Sequence, residues 1–294
     1  DAAGFGVGQQ DGSPDGVVTL SLGAGSDAAV GIAVQSDDRI VVVGNSTSVG
    51  GNGSSNIVVA RLNPDGTLDG FFGKANDGTP DGVVNVSLGD GDDVASAVAI
   101  QANGKILVAG STASASGKNA AVARLNADGS VDASFGAGSS DGTPDGMVSV
   151  SLGAGNDTTR GTAIQADGKI LVVGSSTSSG AGTTSSNIVV ERFKTDGTLD
   201  ASFGAGNGDG SPDGVVTLSL GSGSEEGRAI AVQADGKIIV AGTTTSPEVT
   251  GSGKNIVVAR LNSDGTPDAT FGADNNGDNT PDGFVAVSLG NGDR

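Results

Sequence analysis

Ala-Ile-Gln-Ala-Asp-Gly-Lys-Ile-Leu-Val-Val-Gly, residues 163–174, decides the fold. An apolar stretch ends at Ile164-Gln165, and Ala-Asp-Gly at 166–168 makes the turn. Asx-Gly between apolar runs is the strongest short-range hairpin signal, because such turns need residues that tolerate positive φ. Ile170 to Val173 is then a β-branched run without alternation, closed by Gly174, which reads as a strand buried on both faces. The arrangement recurs at Val34-Gln35 with Ile40 to Val43, at Ile100-Gln101 with Ile106 to Ala109, and at Val232-Gln233 with Ile238 to Ala241.

Outward from this hairpin the rest of the unit repeats as well. Pro-Asp-Gly followed by two apolar residues occurs at Pro14, Pro80, Pro144, Pro212 and Pro281, in steps of 66, 64, 68 and 69. The segment after it alternates: Val18, Leu20 and Leu22 face one way and Val17, Thr19 and Ser21 the other, the period of a half-buried strand. A further strand follows each hairpin, at Ile57 to Leu62 and at 120–125, 188–193 and 256–261. The chain therefore divides into 1–13, the end of a preceding repeat; repeats at 14–79, 80–143, 144–211 and 212–280; and 281–294, the first strand of a fifth. No segment has helical periodicity.

The fold expected is all-β: about four tandem four-stranded antiparallel, blade-like units, forming a β-propeller or, alternatively, an open stack of β-repeats. Propeller blades pack both faces on their neighbours, so their inner strands need apolar residues on both sides. The 67-residue unit exceeds the common blade lengths of about 40–50 residues. The surplus sits in the Gly/Ser/Thr stretches at 44–56, 174–187 and 242–255.

Two strings resemble a known family. Residues 163–174, with Val-Ala-Arg-Leu-Asn-Ala-Asp-Gly-Ser-Val-Asp-Ala-Ser-Phe-Gly at 122–136, resemble the bacterial delta-60 repeat. The resemblance implies a β-propeller-like module of large secreted or cell-surface proteins, with no defined activity or ligand. This sequence departs from it by the Asp-Gly-Ser/Thr-Pro-Asp-Gly insert, at Ser36-Asp37-Asp38-Arg39 where Gly-Lys is usual, and at Lys194 where the other units have Asn. Altered turns are expected at the last two.

Composition narrows the chemistry. The 294 residues hold 53 Gly and no Cys, His, Trp or Tyr; 34 acids against 15 bases give a net charge of −19. A histidine general base, a thiolate nucleophile and a zinc finger are thereby excluded. The charge argues against nucleic acid and anionic membrane as partners, since both attract Lys/Arg excess. Start at Asp1 without a basic-then-apolar leader suggests a mature form or a piece of something longer. The composition suits a secreted bacterial protein, extracellular or at the cell surface.

Of the 30 Asp, 17 immediately precede Gly, so most acids belong to turns. The sharpest pattern is Asp-x-Ser/Thr-x-Asp: Asp11/Ser13/Asp15, Asp77/Thr79/Asp81, Asp141/Thr143/Asp145, Asp209/Ser211/Asp213 and Asp278/Thr280/Asp282, extended by Asn207 and Asn276. Oxygens at i, i+2 and i+4 copy the first half of a calcium loop; the bidentate Glu of the second half is missing. Turn chemistry explains the Pro and Gly equally well. Calcium is the one cofactor expected. A second ladder, Asn63/Asp65/Thr67/Asp69 and its counterparts, reads as Asx-turns. Arg61, Arg124, Arg192 and Arg260 read as partners of nearby Asp rather than an anion site, and Phe72, Phe135, Phe203 and Phe271 as packing anchors.

The functional expectation is a non-catalytic extracellular structural or adhesive repeat protein. Five copies of the first strand against four of the others leave one in surplus, free to add to another molecule and build filaments or arrays. The partner would be the chain itself or a surface polymer. The alternative is a calcium-stabilised propeller module that binds carbohydrate or surface polymer. An enzyme is not expected, because active sites break a repeat and Glu191 is the only acid at a strand-end position that the sibling units lack.

Overall fold

A computed structural model of the chain describes residues 5, 16–22, 25–47, 54–73, 81–88, 91–115, 117–136, 145–152, 155–177, 185–204, 213–247, 253–272 and 282–287. These residues form four four-stranded antiparallel sheets, each in simple meander order. The first sheet is β1 (Asp27–Val34), β2 (Ile40–Ser46), β3 (Asn56–Leu62) and β4 (Val83–Val86). The second is β5 (Asp93–Ile100), β6 (Ile106–Ser114), β7 (Gly117–Leu125) and β8 (Met147–Val150). The third is β9 (Asp157–Ile164), β10 (Ile170–Thr177), β11 (Ser186–Phe193) and β12 (Val215–Leu218), and the fourth β13 (Glu225–Val232), β14 (Ile238–Thr244), β15 (Asn255–Leu261) and β16 (Phe284–Val287). The all-β, blade-like reading is borne out.

One expectation is corrected. A sheet is not one repeat: it takes three strands from one repeat and the opening strand of the next. Thus β4 pairs with β3 and β16 with β15. The fifth copy of the opening strand completes the fourth sheet and is not in surplus. The first copy, residues 17–22, is the one that forms no strand. The premise of strand addition by the C-terminal copy therefore falls away.

The chain forms two compact units, one of residues 1–113 and 121–149, the other of 114–120 and 150–294. In the first, Val41, Val43, Ile57 and Val59 of the first sheet share a core with Ile106, Val108 and Ala123 of the second. In the other, Leu171, Val173, Ile188 and Val190 meet Ile238, Val240 and Ala259. Unbroken apolar runs in β6 and β10 thus reflect burial on both faces, as expected of inner blade strands, whereas the same run in β2 alternates buried and half-buried residues.

The two anticipated turn departures resolve differently. Asp38 takes φ +64°, the left-handed conformation that Gly104, Gly168 and Gly236 hold at φ +80° to +83°. The turn shape is kept, at the cost of a side chain in a region that favours glycine. At Lys194 the backbone is kept, with Lys194 N donating to Thr198 O at 2.8 Å as Asn63 N donates to Thr67 O, while the amide bonds that Asn63, Asn126 and Asn262 donate across the turn have no counterpart.

Candidate functional site

The recurrent Arg, Asp and Phe form a structural hub at the end of each sheet. The Nε of Arg61 meets Asp69 at 2.8 Å, and the Arg124–Asp132, Arg192–Asp200 and Arg260–Asp268 contacts measure 2.5, 2.9 and 2.6 Å. Each guanidinium also lies over the ring of Phe72, Phe135, Phe203 or Phe271, 4.4–4.6 Å from its centre. The first three rings are fully buried, the fourth only partly. Pairing satisfies the charge that burial would otherwise penalise. Lys105, Lys169 and Lys237 add a second cation to Asp132, Asp200 and Asp268. In the second ladder Asp65, Asp128, Asp196 and Asp264 each accept the backbone N–H and the hydroxyl of the residue two further on, as Asx-turns do.

Most of the residues proposed for calcium (Asp11, Ser13, Asp15, Asp77, Thr79, Asp141, Thr143, Asn207, Asp209, Ser211, Asn276, Asp278 and Thr280) lie outside the described residues. Asp81, Asp145, Asp213 and Asp282 lie within them. The first three accept the N–H of Val83, Met147 and Val215 at 3.0, 3.1 and 2.9 Å, capping the entry to the next strand. Among the described residues no group of three acids is placed to hold a metal ion.

A cleft of about 770 Å³ opens where the turns of the first and second sheets meet. The β1–β2 turn supplies Gln35, Asp37 and Arg39, the β5–β6 turn Gln101, the end of β3 Arg61, and the segment after β3 Phe71. Gln35 and Gln101 are 91% and 92% buried, and neither side-chain oxygen has a hydrogen-bond partner. A buried acceptor left open is costly unless something arrives to donate to it. Arg39 stands where the other repeats have Lys; it reaches Asp69 at 3.0 Å and pairs with Asp37.

Phe71 is the residue that the sequence reading passed over. Its ring is 85% exposed, the most exposed large apolar side chain among the described residues. The corresponding positions are Ser134, Ser202 and Thr270, whose hydroxyls donate to Asp132, Asp200 and Asp268 at 2.7, 2.7 and 2.8 Å. Phe71 keeps the backbone half of that turn, its N–H donating to Asp69 at 3.0 Å, and gives up the rest. The signal was present: aligning the repeats leaves one aromatic in a column of hydroxyls. The neighbouring Phe72, which every repeat shares, masks it in the sequence.

Glu191 breaks the repeat too, in a column of Ala60, Ala123 and Ala259. It is 98% buried on β11, with Val172 and Val215 as its cross-strand neighbours, and neither carboxyl oxygen is bonded. Burial, reinforced by the charge of Asp157, pushes its carboxyl up to about 8. Asp157 itself accepts the N–H of Leu152 at 2.8 Å and clasps the start of β9. Glu191 does not line this cleft.

The profile of a β-propeller family described as a domain of unknown function, DUF5122, matches residues 35–71, 101–135, 165–203 and 233–271. No characterised protein matches the chain by sequence. Solved structures similar in fold include a thermostable family-43 glycoside hydrolase (11% identity, TM-score 0.41, covering 80% of this chain and 69% of that one). An endo-arabinase from Bacteroides thetaiotaomicron aligns at 12% identity and TM-score 0.41, over 76% and 72%. An α-L-arabinofuranosidase from Fusarium graminearum aligns at 9% and 0.45, over 79% and 62%. These are likenesses of fold alone. They nevertheless correct two expectations, that the chain is a non-catalytic structural or adhesive protein and that it is no enzyme.

Proposed function

Since the chain belongs to the DUF5122 β-propeller family, its role has to come from its own side chains, and we propose that it is a carbohydrate-active propeller whose first-unit cleft binds a saccharide. The exposed Phe71 ring carries this reading. An aromatic face beside convergent polar groups suits a sugar ring, which presents C–H bonds to the ring and hydroxyls to its sides. The side chains of Gln35 and Gln101 form the cleft wall, and Arg39 and Asp37 supply a donor and an acceptor at the rim. Two departures from the repeat in this unit, Phe71 and Arg39, line the same cleft.

Our reading sets the module outside the cell. The finer likeness of residues 122–136 and 163–174 to the delta-60 repeat supports this, as does a Cys-free, acidic composition.

The experiment is calorimetric titration with neutral arabino-, manno- and fructo-oligosaccharides, with reducing-sugar release measured alongside. Binding of at least one series is expected, with affinity at least tenfold weaker in Phe71→Ser. That variant restores the residue of the sibling repeats, so its fold is secure. Silence across the panel, or full affinity in Phe71→Ser, would overturn the proposal.

A further inference from the structure

One turn of the first repeat keeps a side chain where its siblings keep none. Asp38 stands in the β1–β2 turn at φ +64°, in the place of Gly104, Gly168 and Gly236. A side chain in that region costs free energy, and backbone strain of this kind collects at ligand clamps. The carboxylate does not hold the turn: it is exposed and, among the described residues, takes part in no hydrogen bond or ion pair. Asp37, one residue before, is engaged; it accepts the N–H of Arg39 at 3.2 Å and pairs with the Arg39 guanidinium. Asp38 thus lies between two residues that line the cleft, Asp37 and Arg39, and is the open acid of their turn.

The positive charges of the cleft already face acids. Arg61 holds Asp69 through Nε at 2.8 Å, gives Nη1 to the carbonyl of Ala127 and stacks 4.4 Å over Phe72. Arg39 lies 3.0 Å from Asp69 and pairs with Asp37. Among the described residues, these two arginines stand against four aspartates, Asp37, Asp38, Asp69 and Asp128, an excess of two negative charges. The whole chain carries −19. A field of that sign repels a uronic acid and attracts a cation. Beside it stands the Phe71 ring, 85% exposed, whose negative face takes an ammonium as readily as the C–H bonds of a sugar.

We infer that the saccharide of this cleft is an amino sugar with free, protonated amines, its ammonium taken up by the Phe71 face and the acids of the β1–β2 turn, Asp38 foremost. The inference rests on the reading of the cleft as a saccharide site and adds the charge of the ligand to it. A neutral sugar shares the stacking and hydroxyl contacts; only an amine gains from the excess of acid, and selectivity is that difference of affinities. Asp38 is then the specificity-determining residue, and Phe71 the one on which either kind of sugar depends. The strained turn keeps its side chain for the ligand.

Calorimetric titration of the whole chain with a glucosamine tetramer, its N-acetylated counterpart and the neutral oligosaccharides tests this, at about pH 5.5, where a sugar amine is protonated. The free-amine tetramer is expected to bind about tenfold more tightly than the acetylated one, the size of an exposed ion pair and an exposed cation–π contact together. Raising salt from about 0.1 M to about 1 M shortens the screening length from about 10 Å to about 3 Å and should remove most of that ratio. Asp38→Gly places the siblings' residue in the turn, so the fold is kept, and should lower the ratio to about threefold or less. Equal affinity for the two tetramers, or a ratio unmoved by Asp38→Gly, overturns the inference and leaves the saccharide reading standing. Oligolysine binding as tightly as the amino sugar overturns it too, since charge alone would then suffice. Silence with every sugar overturns the saccharide reading, and this inference with it.

Discussion

Arg124 stacks its guanidinium 4.4 Å above the ring of Phe135 while its Nε holds Asp132 at 2.5 Å. One side chain thus satisfies a buried charge and covers a buried ring. Arg124→Met keeps a stem over the ring and leaves the carboxylate with Lys105 as its one remaining cation, beside the bonds from Ser134. Removing one partner of a buried pair costs about 3 kcal/mol. Urea denaturation should show that loss, with the midpoint lowered and its slope unchanged.

Phe71 exposes a large ring where its siblings bond a carboxylate. Phe71→Ser should therefore raise stability, by about 1 kcal/mol from the hydroxyl bond to Asp69. The same substitution should weaken oligosaccharide binding at least tenfold. A variant that gains stability and loses function separates a binding residue from a structural one, and thermal melts beside titrations give both readings.

Asp38 holds φ +64° in a turn that three other repeats close with glycine. Asp38→Gly should stabilise by about 0.5–1 kcal/mol, the cost of a side chain in that region less the extra entropy that glycine gives the unfolded chain. Gly104→Ala, the converse change at φ +80°, should destabilise by a similar amount. A pair of urea titrations checks the two signs together.

Glu191 gives the chain an unusual alkaline limb. Its folded pKa, at about 8, lies above the unfolded value near 4.3, so the stability it contributes is fully present below about pH 4 and is lost as pH rises through 8. At pH 7 the loss is about 3 kcal/mol. Glu191→Met, near in volume and uncharged, should remove most of the fall between pH 5 and 8. Equal pH dependence in wild type and variant would rule this out.

The opposite sign holds at Asp200. Burial alone pushes its carboxyl up, but the bonds from Ser202 and Lys169 and the charge of Arg192 outweigh that and hold it at about 2. Asp132 and Asp268 are lowered further; burial of Asp132 is outweighed by Lys105, Ser134 and Arg124, and Asp268 is held by Lys237 and Thr270. A depressed folded pKa contributes stability above the unfolded value near 3.9, lost as pH falls towards 2. Together the two limbs set the stability maximum between about pH 4 and 5. Melting temperature against pH should peak there, and Glu191→Met should flatten only the alkaline side.

The hairpins, the repeat and the all-β class were legible because each rests on local chemistry. Asp-Gly sets a turn wherever it stands, and a period of two marks a half-buried strand without reference to the rest of the chain. The roles of Arg61 and Phe72 could be read for the same reason, since an arginine eight residues from an aspartate in the following turn has little choice of partner. What the sequence alone determined, then, was the unit and its internal bonds. Only the tertiary structure decided which strands share a sheet, because pairing β4 with β3 is a choice between repeats of nearly identical sequence. It also decided which columns of the repeat matter. Phe71 differs little from a core residue as a letter, yet it stands in a cleft; Glu191 is marked in the sequence by its charge in a column of Ala, but only the packing leaves it buried with neither oxygen bonded. Burial is a property of neighbours, and neighbours come from the packing of sheet against sheet.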